Sequence, residues 1–159
     1  MKKLLFFLFA ISAICYFGCI KTAPTTPACT DTLPYDDSTV LLKFAGDSIH
    51  PKFDSSGIFY QIVDSGSSSK PNAYSNVWVN YIGKIISTNT IYDSASNSNL
   101  GGYAAGQLIG FWRFGLSKIG PGGRIKLLIP SADAYGCNGF DKVPSNTPLY
   151  FDITLISIY

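Results

Sequence analysis

The sequence predicts an α+β fold, a mostly antiparallel sheet with one short helix laid across it. Three observations carry this expectation. Apolar residues alternate with a period of two across 77–86, 124–130 and 149–159, the signature of half-buried strands. Residues 107–118 alone in the second half of the chain repeat apolar side chains at helical spacing. Gly120-Pro121-Gly122-Gly123 then breaks the chain between that helix and the next strand.

Taken in order, Asp36-Asp37-Ser38 opens a short helix that runs to about Ala45, with Val40, Leu41 and Phe44 on one face and Gly46 as its stop. Gly57–Val63 begins the sheet, with Ile58, Tyr60 and Ile62 facing one way. A Gly/Ser-rich loop covers 64–72. In 77–86, Val77, Val79 and Tyr81 oppose Trp78, Asn80 and Ile82; Thr90-Ile91-Tyr92 adds a short strand. The helix over 107–118 turns Leu108, Ile109, Trp112 and Leu116 to one side. In 124–130, Ile125, Leu127 and Ile129 point inward and the basic residues outward. Leu149, Phe151, Ile153 and Leu155 line one side of the last strand.

The first eighteen residues have the layout of a secretory signal: Lys2 and Lys3, an apolar run from Leu4 to Ile14, and small Gly18 before Cys19. The apolar run is shorter than the roughly 20 residues of a spanning helix. Gly18-Cys19 also resembles a bacterial lipobox, which implies acylation of Cys19, a mature chain beginning there, and a cell-envelope location. Residues 19–35 are rich in Thr, Pro and Ala and form a tether; 36–56 hold the short helix and a linker; 57–159 form the folded domain. Removal of Cys15 with the signal and acylation of Cys19 leave Cys29 and Cys137. In an oxidising compartment these two either bridge or stay as free thiols.

Composition excludes several function classes. The chain of 159 residues has 12 basic and 10 acidic residues; loss of Lys2 and Lys3 balances them, and no basic face marks a nucleic-acid partner. His50 is the single histidine, which rules out a His-rich metal site and leaves any triad dependent on one loop residue. The aromatic content (11 Phe, 10 Tyr, 2 Trp) suits an apolar binding site. Ser67-Ser68-Ser69-Lys70 formally matches an S-x-x-K motif but lies in a polar loop, and 120–123 lead into a strand, unlike a phosphate cradle.

Six short stretches occur in the order and spacing of one family. They are Tyr81-Ile82-Gly83; Ile91-Tyr92-Asp93-Ser94; Gln107 to Leu116; Gly122-Gly123-Arg124 to Pro130; Ala134-Tyr135-Gly136; and Val143-Pro144 to Ile153. Over roughly 57–159 the chain resembles the FK506-binding-protein family of peptidyl-prolyl cis-trans isomerases. The resemblance implies a twisted antiparallel sheet wrapped around one short helix, and rotation about X–Pro bonds without a cofactor. It places Trp112 at the floor of an aromatic pocket, with Tyr81, Tyr92 and Phe151 as walls and Leu108, Ile109 and Val143 completing the lining. Tyr135 would turn its hydroxyl inward, the Ile109 N–H would donate to a ligand carbonyl, and Asp93 would sit at the edge, hydrogen-bonded to another wall residue. The partners implied are proline-containing polypeptides and FK506- or rapamycin-type macrolides, with the lipid anchor holding a monomer at a membrane. Three departures stand out. Tyr92 replaces the usual Phe, Phe111 replaces a Gly and shifts the helix start, and 97–105 lacks the usual Phe-x-Leu-Gly, leaving Leu100 or Tyr103 to fill that wall. The alternative reading is a catalytically weak binding or chaperone-like domain.

Overall fold

The computed structural model describes residues 30, 34–46 and 50–159. The signal, Cys19, Cys29 and most of the tether lie outside the described residues. A helix α1 (Pro34–Ala45) precedes six strands: β1 (Lys52–Phe53), β2 (Phe59–Asp64), β3 (Val77–Ile85), β4 (Thr90–Ser98), β5 (Arg124–Ile129) and β6 (Leu149–Ile158). Helix α2 (Gly110–Lys118) lies between β4 and β5 in sequence. The strands form one antiparallel sheet in the order β1-β2-β5-β6-β3-β4, so the expected α+β class holds.

The period-two pattern translates directly into packing. Val77, Val79, Ile125, Leu127, Ile129, Leu149, Phe151, Ile153 and Leu155 all lie on the face that receives α2 and are at most 1% exposed. From the helix come Phe111, Trp112 and Leu116. Gly115 lets the helix approach the sheet: a Cβ there would stand 2.9 Å from Leu127 Cδ1.

The alternation fails where both faces of the sheet are covered. Phe59, Leu128 and Tyr150 point away from α2, yet each is buried, because α1 packs there with Leu41 and Ala45. The buried face of α1 is Asp37, Leu41 and Ala45, with Phe44 half-buried; Val40, expected inside, is 40% exposed at its rim. An i, i+4, i+8 stripe through a polar residue does not stand out as an apolar face, which is why Asp37 escaped the periodicity. Ile62, placed on one face with Ile58 and Tyr60, is 39% exposed, and the pairing of β2 with β5 carries a bulge at Ile62/Asp64.

Two further boundaries differ. The strand expected at Thr90–Tyr92 continues to Ser98, held by β3 through two register shifts. Its polar second half (ASNS) carries no apolar alternation, because β4 is the edge strand. The helix expected from Gln107 begins at Gly110, since Leu108 and Ile109 are extended (ψ 157° and 152°) after a 3₁₀ turn at Ala105–Gln107. The short pairing of β1 with β2 falls in what the sequence presents as a linker.

Candidate functional site

Five aromatic rings from α2, β3, β4 and β6 converge on one cluster. Phe151, 1% exposed, is the hub. Its ring meets Phe111 at 4.8 Å, Trp112 at 5.6 Å, Tyr92 at 6.0 Å and Tyr81 at 6.3 Å between centroids. Trp112 and Tyr81 meet edge-on at 5.1 Å and 90°. Edge-to-face contacts of this kind put the positive rim of one ring against the negative face of the next and fix orientation beyond simple area burial.

Register explains how the strands deliver these rings. Gly83 of β3 stands between Asp93 of β4 and Phe151 of β6. Having no side chain, it leaves room for two rings to close over it. A Cβ at 83 would lie 2.9 Å from Phe151 Cε1 and 3.1 Å from Tyr92 Cε1. Tyr81, two residues earlier on the same face, donates its hydroxyl to Asp93 Oδ2 at 2.9 Å. Asp93 therefore sits at the edge, tied to a neighbouring ring.

The second half of the site is the loop after β5. A 3₁₀ turn (Ser131–Asp133) leads to Tyr135, and another (Gly136–Asn138) leads away from it. Gly139 takes φ +67° and packs under the Val143 carbonyl, and a bridge between Phe140 and Val143 closes the loop. Tyr135 stacks on Phe140 at 5.2 Å and 20°, and Phe140 is 65% exposed. Tyr92, Asp93, Tyr135, Phe140, Asp141 and Lys142 line an open cavity of about 190 Å³.

The nine residues singled out from sequence are thus distributed over two layers. Tyr92, Asp93 and Tyr135 face the cavity. Tyr81, Trp112 and Phe151 form the ring cluster behind it, joined to the cavity through the Tyr92–Phe151 contact. Leu108 is half-buried against the core and Val143 is 3% exposed within it. Ile109 is 37% exposed at the N-terminus of α2, where no side chain caps the helix. Sequence reasoning placed Gly83 in a family motif without giving it a role, and missed the core role of Phe111 and the exposed Phe140. Phe111 carries a helical-period signal, adjacent to Trp112 and four residues before Gly115. In the 97–105 stretch, Leu100 packs against the core, whereas Tyr103 is 58% exposed.

Burial governs the electrostatics of the phenols. Desolvation, then the bond to Asp93, pushes the Tyr81 phenol up to about 12. Burial, followed by the nearby Tyr135 phenol, raises Tyr92 well above its ordinary value, and burial also raises Tyr135. All three phenols are therefore neutral hydrogen-bond donors at physiological pH. The Tyr92 hydroxyl is buried and has no hydrogen-bond partner of acceptable geometry.

Comparison with known proteins places this architecture. Residues 67–156 match the family model for FKBP-type peptidyl-prolyl cis-trans isomerases. The chain is 35% identical over 107 residues to the FKBP-type peptidyl-prolyl cis-trans isomerase FkpA of Escherichia coli K12, an overlap covering 67% of this chain and 40% of that relative. The chain thus spans about two fifths of the length of the relative it matches. The crystal structure of FkpA from Escherichia coli superposes with a TM-score of 0.63 at 33% identity, covering 78% of this chain and 58% of the other. A peptidyl-prolyl cis-trans isomerase from Pseudomonas syringae pv. tomato also gives 0.63, at 28% identity, covering 81% and 98%. Since the matched segment holds β3, β4, β5, α2, most of β6 and every ring of the cluster, the chain belongs to the FKBP-type peptidyl-prolyl cis-trans isomerase family.

Proposed function

We propose that this chain is a peptidyl-prolyl cis-trans isomerase acting on exported, proline-containing polypeptides. The observation that carries the reading is the aromatic cluster opening onto a cavity edged by protonated phenols. Amide resonance resists rotation with a barrier of about 18–20 kcal/mol. At X–Pro the two isomers differ by only about 0.5–1 kcal/mol, so both are populated and exchange slowly. The twisted amide has less charge separation than either planar form, so a low-polarity surface favours it relative to water. That differential preference lowers the barrier with no bond made or broken.

In this mechanism the proline ring enters the cavity edged by Tyr92 and Tyr135, and the cluster of Trp112, Phe151 and Tyr81 backs it through the Tyr92–Phe151 contact. Tyr135 donates to the peptide, as does the Ile109 N–H at the uncapped start of α2. Asp93 holds Tyr81 in its edge-on attitude. Val143 and Leu108 back the lining. Macrolides of the FK506 or rapamycin type would compete for the same surface. A protease-coupled proline-peptide assay tests the reading: acceleration at micromolar protein that Trp112→Ala reduces by at least tenfold is expected, and full activity in that variant overturns it. A second reading, a binding domain with weak catalysis, draws support from the 97–105 stretch, which lacks the family's Phe-x-Leu-Gly and in which Leu100 packs against the core while Tyr103 is exposed. Client binding without rate enhancement would favour it.

The anchoring and the N-terminal crosslink belong to the same proposal. Cys19 carries the lipid, and palmitate labelling should vanish in Cys19→Ser. Cys137 is disulfide-bonded, and its partner lies outside the described residues. We infer Cys29. Its neighbour Thr30 accepts a hydrogen bond from Asn146 Nδ2 at 3.3 Å, and the Asn146 N–H donates to the Gly136 carbonyl at 2.8 Å, beside Cys137.

A further inference from the structure

The family match begins at residue 67, yet the segment before it reaches the loop that carries Tyr135. Helix α1 lies on the sheet face opposite α2, and Asp37 on it is only 6% exposed. Asp37 Oδ2 accepts two hydrogen bonds from one residue, the Ser131 N–H at 2.6 Å and the Ser131 hydroxyl at 2.7 Å. Ser131 is itself fully buried. A carboxylate removed from water is strongly unfavourable without such donors, so the pair locks in one geometry.

Ser131 is the first residue of the site loop. The Asp133 N–H donates to the Pro130 carbonyl and the Ala134 N–H to the Ser131 carbonyl, both at 3.1 Å. Tyr135 follows immediately. The geometry points to Asp37 as a positioning residue for Tyr135: an acidic side chain from outside the family segment fixes the start of the loop, and with it the phenol at the cavity. The Thr30–Asn146 bond restrains the other end of the same loop, so the N-terminal segment grips both of its shoulders. This inference rests on the isomerase reading for its consequence in catalysis, while the placement of Tyr135 can be read without it.

The experiment uses the full chain in the proline-peptide assay, alongside NMR of ring-labelled Tyr135. Asp37→Ala should lower kcat/KM roughly tenfold, the scale of a displacement of a fraction of an ångström where a full ångström can cost about a hundredfold. It should also shift the Tyr135 ring resonances while leaving the Trp112 indole signal in place. Asp37→Asn should restore most of the activity, since its carbonyl oxygen can still accept both bonds. Combining Asp37→Ala with Tyr135→Phe should cost no more than Tyr135→Phe alone, because both act through one phenol. Independent, multiplying losses overturn the inference, as do unmoved Tyr135 resonances. If the unmodified chain shows no acceleration, the isomerase reading fails, and the Tyr135 resonances still decide the positioning role. Should Asp37→Ala not fold, Ser131→Ala removes one of the two bonds and must shift the same resonances.

Discussion

Tyr92 closes over Gly83 with its hydroxyl buried beside the Tyr135 phenol but without a hydrogen bond of good geometry, so the ring does the packing and the oxygen contributes little. A buried hydroxyl without a partner costs about 1–3 kcal/mol relative to solution. Tyr92→Phe should therefore raise stability by about 1 kcal/mol, measured by urea denaturation, and a loss of that size would show that the hydroxyl is satisfied in solution. Gly83→Ala works in the opposite direction. Its Cβ would meet rings fixed on both sides, an overpacking that costs typically about 1–3 kcal/mol and moves Phe151 and Tyr92 apart. A denaturation midpoint unchanged in Gly83→Ala would contradict the closeness of these rings. The phenols also set a pH expectation. The folded state holds Tyr81 up at about 12, above its ordinary 10, so folding favours the protonated form. That contribution is complete below pH 10 and is lost as pH rises from 10 through 12. Activity carried by neutral phenols should accordingly stay flat from pH 7 to 9, and stability should begin to fall only above 10. A kcat/KM profile with a pKa between 7 and 9 would implicate a different group.

At the scale of elements, α1 is the piece whose importance the sequence understates. Leu41 is fully buried beneath Phe59, Leu128 and Tyr150, on the sheet face that α2 does not cover. Leu41→Ala should destabilise the chain by about 2–5 kcal/mol, a large-to-small change in a closed core. A thermal midpoint shift of less than a few degrees would mean that α1 detaches readily. The strands β3, β5 and β6 were legible because one side of each faces α2 and alternation survives there. Phe59, Leu128 and Tyr150 were not, because period-two reasoning assigns them to solvent, and only tertiary structure puts α1 over them. The start of α2 was misread by three residues because Leu108 and Ile109 satisfy helical spacing while adopting extended backbone. The second half of β4 was invisible because an edge strand needs no apolar alternation to pair. The site itself was legible as a set of aromatic positions. Its layering, with Trp112 behind the cavity and Tyr135 in front, depends on ring orientation, which no spacing encodes. Asp37 was legible as part of a helix start but gave no signal of burial, since an acid in the first turn of a short helix ordinarily faces water.

At the scale of the whole molecule, contacts far apart in sequence join the N-terminal segment to the loop that follows β5. Asp37 reaches Ser131, Thr30 reaches Asn146, and Cys137 is held in a disulfide. With Cys29 as the partner, the crosslink closes a loop of roughly 110 residues, and removing a native bridge from a small domain typically costs about 2–5 kcal/mol. Such a bridge acts mainly on the unfolded chain, by denying it the separations it would otherwise explore, so its effect is read best as a difference in stability. Reductant should lower the denaturation midpoint of the native chain by that amount, and Cys29→Ser should start from the lowered value and respond no further. Peptide mapping without reductant should recover the Cys29 and Cys137 segments as one species. If Cys29→Ser keeps the sensitivity of the parent, the bridge runs to another cysteine and the grip on the site loop comes from Asp37 and Thr30 alone.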